Sequence, residues 1–209
     1  MEPTAVFADC DTSIVSDAMD EHGLEGVVTG LSPASPEHHA VGRARPIRFE
    51  RARGDGLTNF PFEMLDSITA DELFVLDGVA PDLSCWGGQA SAFADAAGMA
   101  GVVVDGGYRD ADDVRAGSFP VFGRATTPKS GQGRIRVAST TDPVTVDGVR
   151  VDPGDVVVAD ATGIVVVPAE HAERVAKSAA TILKTEDDLT ARVEAGADLA
   201  EIRADHDRF

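Results

Sequence analysis

An arginine and an aspartate stand side by side at positions 109 and 110, just after Asp105-Gly106-Gly107-Tyr108, and a second diglycine lies at Gly87-Gly88. Each residue type here has a distinct chemical use. A guanidinium is a fixed planar cation suited to an oxyacid or a keto oxygen. A carboxylate is a ligand for a hard divalent cation. Backbone N–H groups at a helix start attract anions. Brought together, they suit an oxyacid held beside a divalent metal. The plain alternative is a glycine-rich turn carrying a surface ion pair, since exposed pairs contribute little.

The elements that must position these groups are legible in outline. Ala90, Phe93, Ala94 and Ala97 recur at i, i+3, i+4 and i+7, which predicts one apolar helix face. Gly98 is placed to end that helix. Val102-Val103-Val104 is an uninterrupted β-branched run, the pattern of a strand buried on both faces. Asp105-Gly106-Gly107 is expected to break the strand. Helix and strand packed together would then bring Gly87–Ala90 near Arg109 and Asp110.

Written out, Trp86 to Asp110 reads W-G-G-x5-A-x3-G-x2-G-x-V-x-D-G-x2-R-D, through Gln89, Ala94, Gly98, Gly101, Val103, Asp105 and Gly106. This pattern resembles the RraA-like family, which contains the class II 4-hydroxy-4-methyl-2-oxoglutarate (HMG) aldolases and the regulators of ribonuclease E activity. SDAMDEHG, VGRARPI, PGDVVVADATGIVVVP and the C-terminal helix also look familial, so the similarity covers nearly the whole chain. The resemblance implies one domain over 1–209 with a layered α/β/β/α sandwich of the swivelling-domain type. It implies trimers, sometimes paired into hexamers, with sites between protomers.

For the site, the resemblance implies that Asp110 holds Mg²⁺ or Mn²⁺ directly or through water and that Arg109 binds the keto or enolate oxygen. The amides of Gly87, Gly88, Gln89 and Ala90 would grip a pyruvyl carboxylate. A C-terminal-helix glutamate of the adjacent protomer approaches the metal in such aldolases, and Glu186 is its match. Glu186 and Asp113 would order water at the metal. The activity implied is cleavage of a 4-hydroxy-2-oxo acid to pyruvate through an enolate, with decarboxylation of oxaloacetate beside it. One departure stands out: some of these aldolases carry an acid where this chain has Gly88, which leaves Asp113, Asp17 or Glu186 to position the catalytic water. The competing expectation is a non-catalytic binding protein of the ribonuclease-regulator type, against which the presence of Asp110 argues. A methyltransferase, a label some relatives have carried, lacks support, since no glycine-rich strand-helix turn lies near a ribose-binding acid.

Composition narrows the classes. The 209 residues carry 36 Asp plus Glu against 18 Lys plus Arg, a net charge of −18. Lysine occurs only at 129, 177 and 184. Self-repulsion of this size destabilises a compact state unless salt screens it, so a salt-rich, halophilic cytosol is expected and the melting temperature should rise in molar KCl. The same charge argues against nucleic acid as a ligand. No apolar run has the roughly 18–20 residues of a membrane span. MEPTAVFADCDTS lacks a basic region followed by an apolar stretch, so a cytoplasmic location is expected. Cys10 and Cys85 lack metal-ligand spacing and read as buried, inert thiols.

Elsewhere, Thr12 or Ser13 is placed to cap a first helix ending at Gly23, with Asp17 as a solvated acid. Strands are expected at Val27–Leu31, Val41–Phe49, Leu73–Leu76, Phe119–Phe122 and Arg134–Ala138. SPASPEHH between the first two reads as a loop, with His38 and His39 as loop histidines on opposite faces. Asn59–Ile68 reads as a short helix burying Leu65 and Ile68, and TPKSGQGR as a loop. Asp147-Gly148 predicts a hairpin over Val144–Val151, and Asp155–Ala159 with Ile164–Val167 a second pair. A last helix, about 170–195, carries Val175, Ala179, Ile182, Leu189 and Val193 as a stripe in which position 186 is Glu186. A carboxylate there must be paired, solvated or bound to a metal.

Overall fold

The computed structural model of the protein describes residues 2–54 and 62–198. The first half runs α1 (Pro3–Phe7), α2 (Thr12–Asp20), β1 (Val27–Val28), β2 (Ser32–Pro33), β3 (Ala40–Arg51), α3 (Phe62–Leu65) and β4 (Glu72–Asp77). The central unit is β5 (Ser84–Trp86), α4 (Gly88–Ala96), β6 (Gly101–Tyr108), α5 (Ala111–Ala116) and β7 (Val121–Thr126). Then follow β8 (Ile135–Ser139), β9 (Val144–Val146), β10 (Val149–Val151), β11 (Val156–Ala159), β12 (Ile164–Val167) and α6 (Ala172–Glu194).

One mixed sheet runs β1-β12-β11-β3-β4-β6-β7-β2, with β5 beside β6 and β8 beside β3. β3, β4, β6 and β7 are parallel neighbours, whereas β11 is antiparallel to both β3 and β12. Side-chain alternation along these strands builds the layers. Phe74, Leu76, Val102 and Val104 face α4 and α5 in a core with Trp86, Ala94 and Val114. Leu73, Val75, Val103 and Phe122 point the other way. They meet Val157, Ala159, Ile164 and Val166 of β11 and β12 in a second core, closed by Val144, Val146 and Val151 of the β9–β10 hairpin. The outer face of β11 and β12, with Val156, Val158, Val165 and Val167, meets α1, α2 and α6 through Phe7, Val15, Met19, Val175, Ala179 and Ile182. The order is helix, sheet, sheet, helix, the expected α/β/β/α sandwich. The long β3 joins its halves, giving Ala40 and Ala44 to the middle core and Ile47 and Phe49 to the first.

Several expectations need correction. β6 does not stop at Asp105. It continues to Tyr108 through an irregularity between Val104 and Gly107. The two glycines are there for close approach: a Cβ on Gly106 would lie 2.6 Å from the Val79 carbonyl oxygen, and one on Gly107 2.5 Å from that of Leu83. α4 buries Ser91 and Ala94, while Phe93 is 53% exposed, so its inner face is rotated from the one expected. Asp11, not Thr12 or Ser13, caps α2 by accepting from the Ile14 N–H at 2.8 Å. The Thr12 hydroxyl instead donates to Asp160.

Strand β1 covers only Val27–Val28, and β7 begins at Val121 rather than Phe119. His38 lies in the expected loop but is buried: its Nδ1 accepts from the Val121 N–H at 3.2 Å and its Nε2 lies 3.3 Å from the Gly117 oxygen. It fastens that loop to the start of β7. Of the predicted Asn59–Ile68 helix, residues 59–61 lie outside the described residues, and Leu65 and Ile68 are only partly buried. Both predicted hairpins form, and Asp147 and Gly148 take the positive φ values, 48° and 89°, that an Asp-Gly turn requires. In α6 the stripe is buried at Val175, Ala179 and Ile182, half-buried at Leu189 and open at Val193.

Candidate active site

β5 and β6 set the geometry. β5 lies parallel to the end of β6, with Trp86 opposite Tyr108, and the Arg109 N–H donates to the Trp86 carbonyl at 3.1 Å. The chain leaving β5 and the chain leaving β6 therefore emerge together. The first leads into Gly87 and α4, the second into Arg109, Asp110 and α5. The two diglycine regions converge as the sequence suggested, although through a continued strand rather than a broken one.

At the start of α4 the first i→i−4 bond runs from the Ser91 N–H to the Gly87 oxygen. The N–H groups of Gly88, Gln89 and Ala90 precede it and have no acceptor within the helix. The Gly88 N–H donates to Asp110 Oδ2 at 3.1 Å. The Arg109 Nε lies 3.5 Å from the same oxygen, with the two side chains 43% and 38% exposed. Asp110 sits in the left-handed region at φ 56° and ψ 44°, directly before α5. That conformation costs a non-glycine residue about 1–2 kcal/mol, and it turns the carboxylate back onto the Gly88 amide.

The glycines at 87 and 88 make room. A Cβ on Gly87 would stand 2.7 Å from Asp110 Oδ2 and 3.0 Å from Arg109 Cγ. One on Gly88 would stand 3.3 Å from Asp113 Cβ and 3.6 Å from Asp113 Oδ2. Asp113 therefore fills the space that a side chain at 88 would enter. Asp110, Asp113, Asp95, Gly88, Gln89 and Phe119 line a cleft of about 420 Å³.

Trp86 anchors the turn. Its Nε1 donates to Ser91 Oγ at 2.9 Å, and that hydroxyl donates to the Gly87 oxygen at 3.2 Å. The indole stacks on Phe119 with centroids 6.0 Å apart and meets Phe74 edge-on at 6.5 Å. Sequence reasoning missed the positioning roles of Trp86 and Ser91 and the presence of Asp95. The signal available was the single tryptophan of the chain, placed directly before the diglycine.

The remaining acids lie elsewhere. Glu186 is exposed on α6 and Asp17 on α2, and these helices form the opposite outer layer with α1. Neither lines the Asp110 cleft. Among the described residues no group of three or more His, Cys, Asp or Glu is gathered as a metal cage. The cleft instead offers carboxylate oxygens from Asp110 and Asp113, and no histidine or cysteine. That donor set fits a hard cation such as Mg²⁺, which takes one or two carboxylates and keeps several waters.

Comparisons with known proteins agree with this fold. Protein DlpA of Legionella pneumophila is 28% identical over 200 residues, which cover 94% of this chain but 32% of its own length, so the chain spans about a third of that relative. A 4-hydroxy-4-methyl-2-oxoglutarate aldolase of Thermus thermophilus is 32% identical over 163 residues, covering 69% of this chain and 94% of its own. Among solved structures, Streptomyces coelicolor RraAS2, described as an unusual member of the RNase ES inhibitor RraA protein family, superposes with a TM-score of 0.82 at 27% identity, over 91% of this chain and 98% of that one. The family model described as Aldolase/RraA matches residues 12–166. The chain belongs to the RraA-like family.

Proposed function

We propose that the protein is a divalent-metal-dependent lyase that cleaves 4-hydroxy-2-oxo acids of the HMG type to pyruvate and also decarboxylates oxaloacetate. The observation that carries this reading is the meeting of the Gly88 amide, Arg109 and Asp110 at one carboxylate oxygen beside a cleft. In the aldol cleavage the C3–C4 bond breaks and its electrons pass to the pyruvyl fragment as an enolate. The 4-hydroxyl gives up its proton as C4 becomes a carbonyl, and protonation at C3 completes pyruvate. Charge therefore develops on the old keto oxygen, and catalysis consists of stabilising it.

Each residue has a part. Arg109 is exposed enough to turn its guanidinium toward that oxygen, since its ion pair with Asp110 is long. The Gln89 and Ala90 amides at the start of α4 take the substrate carboxylate. The Gly88 amide is already engaged by Asp110 and so aligns the carboxylate with the helix start. Asp113, which lies beside Gly88, would relay the 4-hydroxyl proton through water. Asp110 and Asp113 would hold Mg²⁺ or Mn²⁺, with Glu186 of a neighbouring protomer reaching it through water. When bound, the cation supplies Lewis-acid stabilisation of the developing negative charge.

A homotrimer, or two trimers paired, would bring a neighbour's α6 to this cleft. The exposed Val193 and half-buried Leu189 on the outer half of α6 support a contact between protomers there. The likeness to RraAS2 favours a second reading, a binding protein that inhibits a ribonuclease without turnover. A lactate-dehydrogenase-coupled assay in high salt separates the two. Pyruvate should be released from HMG or oxaloacetate with Mg²⁺ or Mn²⁺, stop with EDTA and return with excess Mn²⁺. No release from either substrate with either metal would move the assignment to the binding protein.

A further inference from the structure

The net charge of −18 conceals one region of the opposite sign. At the start of β5, whose other end leads to Gly87, a cleft of about 790 Å³ is lined by Arg51, Arg53, Lys129 and Arg134, with no acidic residue and no aromatic among its described walls. The fold gathers these cations from distant parts of the chain. β3 and β8 pair up to Arg51 opposite Ile135, and the Ala52 N–H donates to the Arg134 oxygen at 2.9 Å, so Arg51, Arg53 and Arg134 meet at one sheet end. The Arg134 Nη1 donates to the Ser130 oxygen at 2.9 Å, which fixes its direction. Lys129 comes from the same loop, tied to β5 by Ser84 N–H to Lys129 oxygen and Gly131 N–H to Ser84 oxygen, both 2.9 Å.

Among the described residues one counter-charge is at hand. Asp82 bonds to both Arg51 at 3.0 Å and Lys129 at 3.1 Å. Among the described residues neither Arg53 nor Arg134 has a carboxylate partner, although acids outnumber bases two to one in the chain. Like charges held together in a cleft focus a positive potential, and guanidinium forks grip oxyanions in pairs of hydrogen bonds.

We propose that this cleft is a binding site for a small multivalent oxyanion, a phosphorylated or polycarboxylate metabolite. The volume is that of a small-molecule site. The absence of an aromatic platform among the described residues argues against stacked bases, and the acidic remainder of the surface repels a long polyanion. The site does not depend on the reaction assigned to the Asp110 cleft.

Titration calorimetry on the metal-free, full-length protein tests the site. The probes are inorganic pyrophosphate and citrate, with acetate as control, at the lowest salt in which circular dichroism shows the fold intact. At least one of the two should bind saturably, one per chain, and acetate should not. Pyrophosphate alone points to a phosphorylated source, citrate alone to a polycarboxylate, and either supports the site. The Arg53→Gln/Arg134→Gln pair should weaken binding ~10-fold. Asp82→Asn should tighten it ~3-fold by freeing Arg51 and Lys129, a gain that loss of folding cannot imitate. The proposal is overturned if neither anion titrates, if the double variant binds as the parent does, if Asp82→Asn weakens binding, or if only RNA binds.

Discussion

Strand β6 and the two residues just beyond it contribute to two arginine–aspartate groupings, and these are built in opposite ways. At Asp105, the Arg124 Nε bonds to Oδ1 at 2.6 Å, and the same guanidinium bonds to Asp147 Oδ1 at 3.1 Å. Asp147 in turn accepts from the Gly30 N–H at 3.0 Å, and its own N–H donates to Asp105 Oδ2 at 3.2 Å. Every arm of that cluster is used, and it ties β6, β7, the β9–β10 hairpin and the turn after β1 together. At Arg109 and Asp110 there is one long ion pair of 3.5 Å and one amide bond, beside an open cleft. The residue types are the same. The first grouping is satisfied internally and serves the fold, whereas the second leaves donors and acceptors for a ligand.

Substitutions should therefore split the two groupings. Arg109→Ala should lower kcat/KM for pyruvate release by about 10³-fold, as for loss of a donor to a developing oxyanion, with the melting temperature unchanged. A loss of stability with retained turnover would erase the contrast. Gly87→Ala should cost about 10²-fold in kcat/KM, the scale of a misplacement near 1 Å. Its φ of −178° is one that alanine adopts, so the effect comes from contact with Asp110 and Arg109 and not from backbone strain. Steady-state kinetics beside a thermal melt will tell whether that contact matters.

Arg124→Ala should do the reverse, lowering stability by about 2 kcal/mol through the acceptors it strands while leaving most of kcat. Denaturant unfolding measures this. The smallest effect concerns pH. The hydrogen bond from Arg124 holds the Asp147 carboxyl below its ordinary value of 3.8. A depressed carboxylate stabilises the fold above the unfolded-state pKa and loses that contribution as pH falls through the folded one. The melting-temperature gap between the parent and Asp147→Asn should therefore be full at pH 6 and shrink below about pH 4. A gap that widens on acidification would reverse the sign of the assigned interaction.

How much of this was legible before folding depends on the kind of signal. Val102–Val104 and the Asp-Gly hairpin carry their structure in residue type and spacing, and both formed as read. The motif also gathered Arg109, Asp110 and Gly88, which the structure sets side by side. Gly106 and Gly107 misled because glycine marks both a broken strand and a close backbone approach, and only Val79 and Leu83 across the gap decide between them. The face of α4 misled because small alanines give little amphipathic contrast, so Ser91, fixed by the Trp86 indole, could take the inner position. His38 was placed in the right loop, but its burial comes from Val121 and Gly117, some eighty residues away. Glu186 is a different case: within one chain it lies exposed on α6, in the outer layer opposite the cleft. The basic cleft was invisible because Arg51, Arg53, Lys129 and Arg134 become neighbours only through the β3–β8 pairing.

The central claim is that the Asp110 carboxylate, set against the Gly88 amide, is the cation's anchor. Asp110→Asn tests it most directly, because the amide oxygen can still accept from Gly88 while the charge is gone. In the coupled assay with saturating Mn²⁺, the variant should release pyruvate at least ~10³-fold more slowly than the parent, with an unchanged melt and unchanged assembly. Parent-like release from Asp110→Asn would contradict the account.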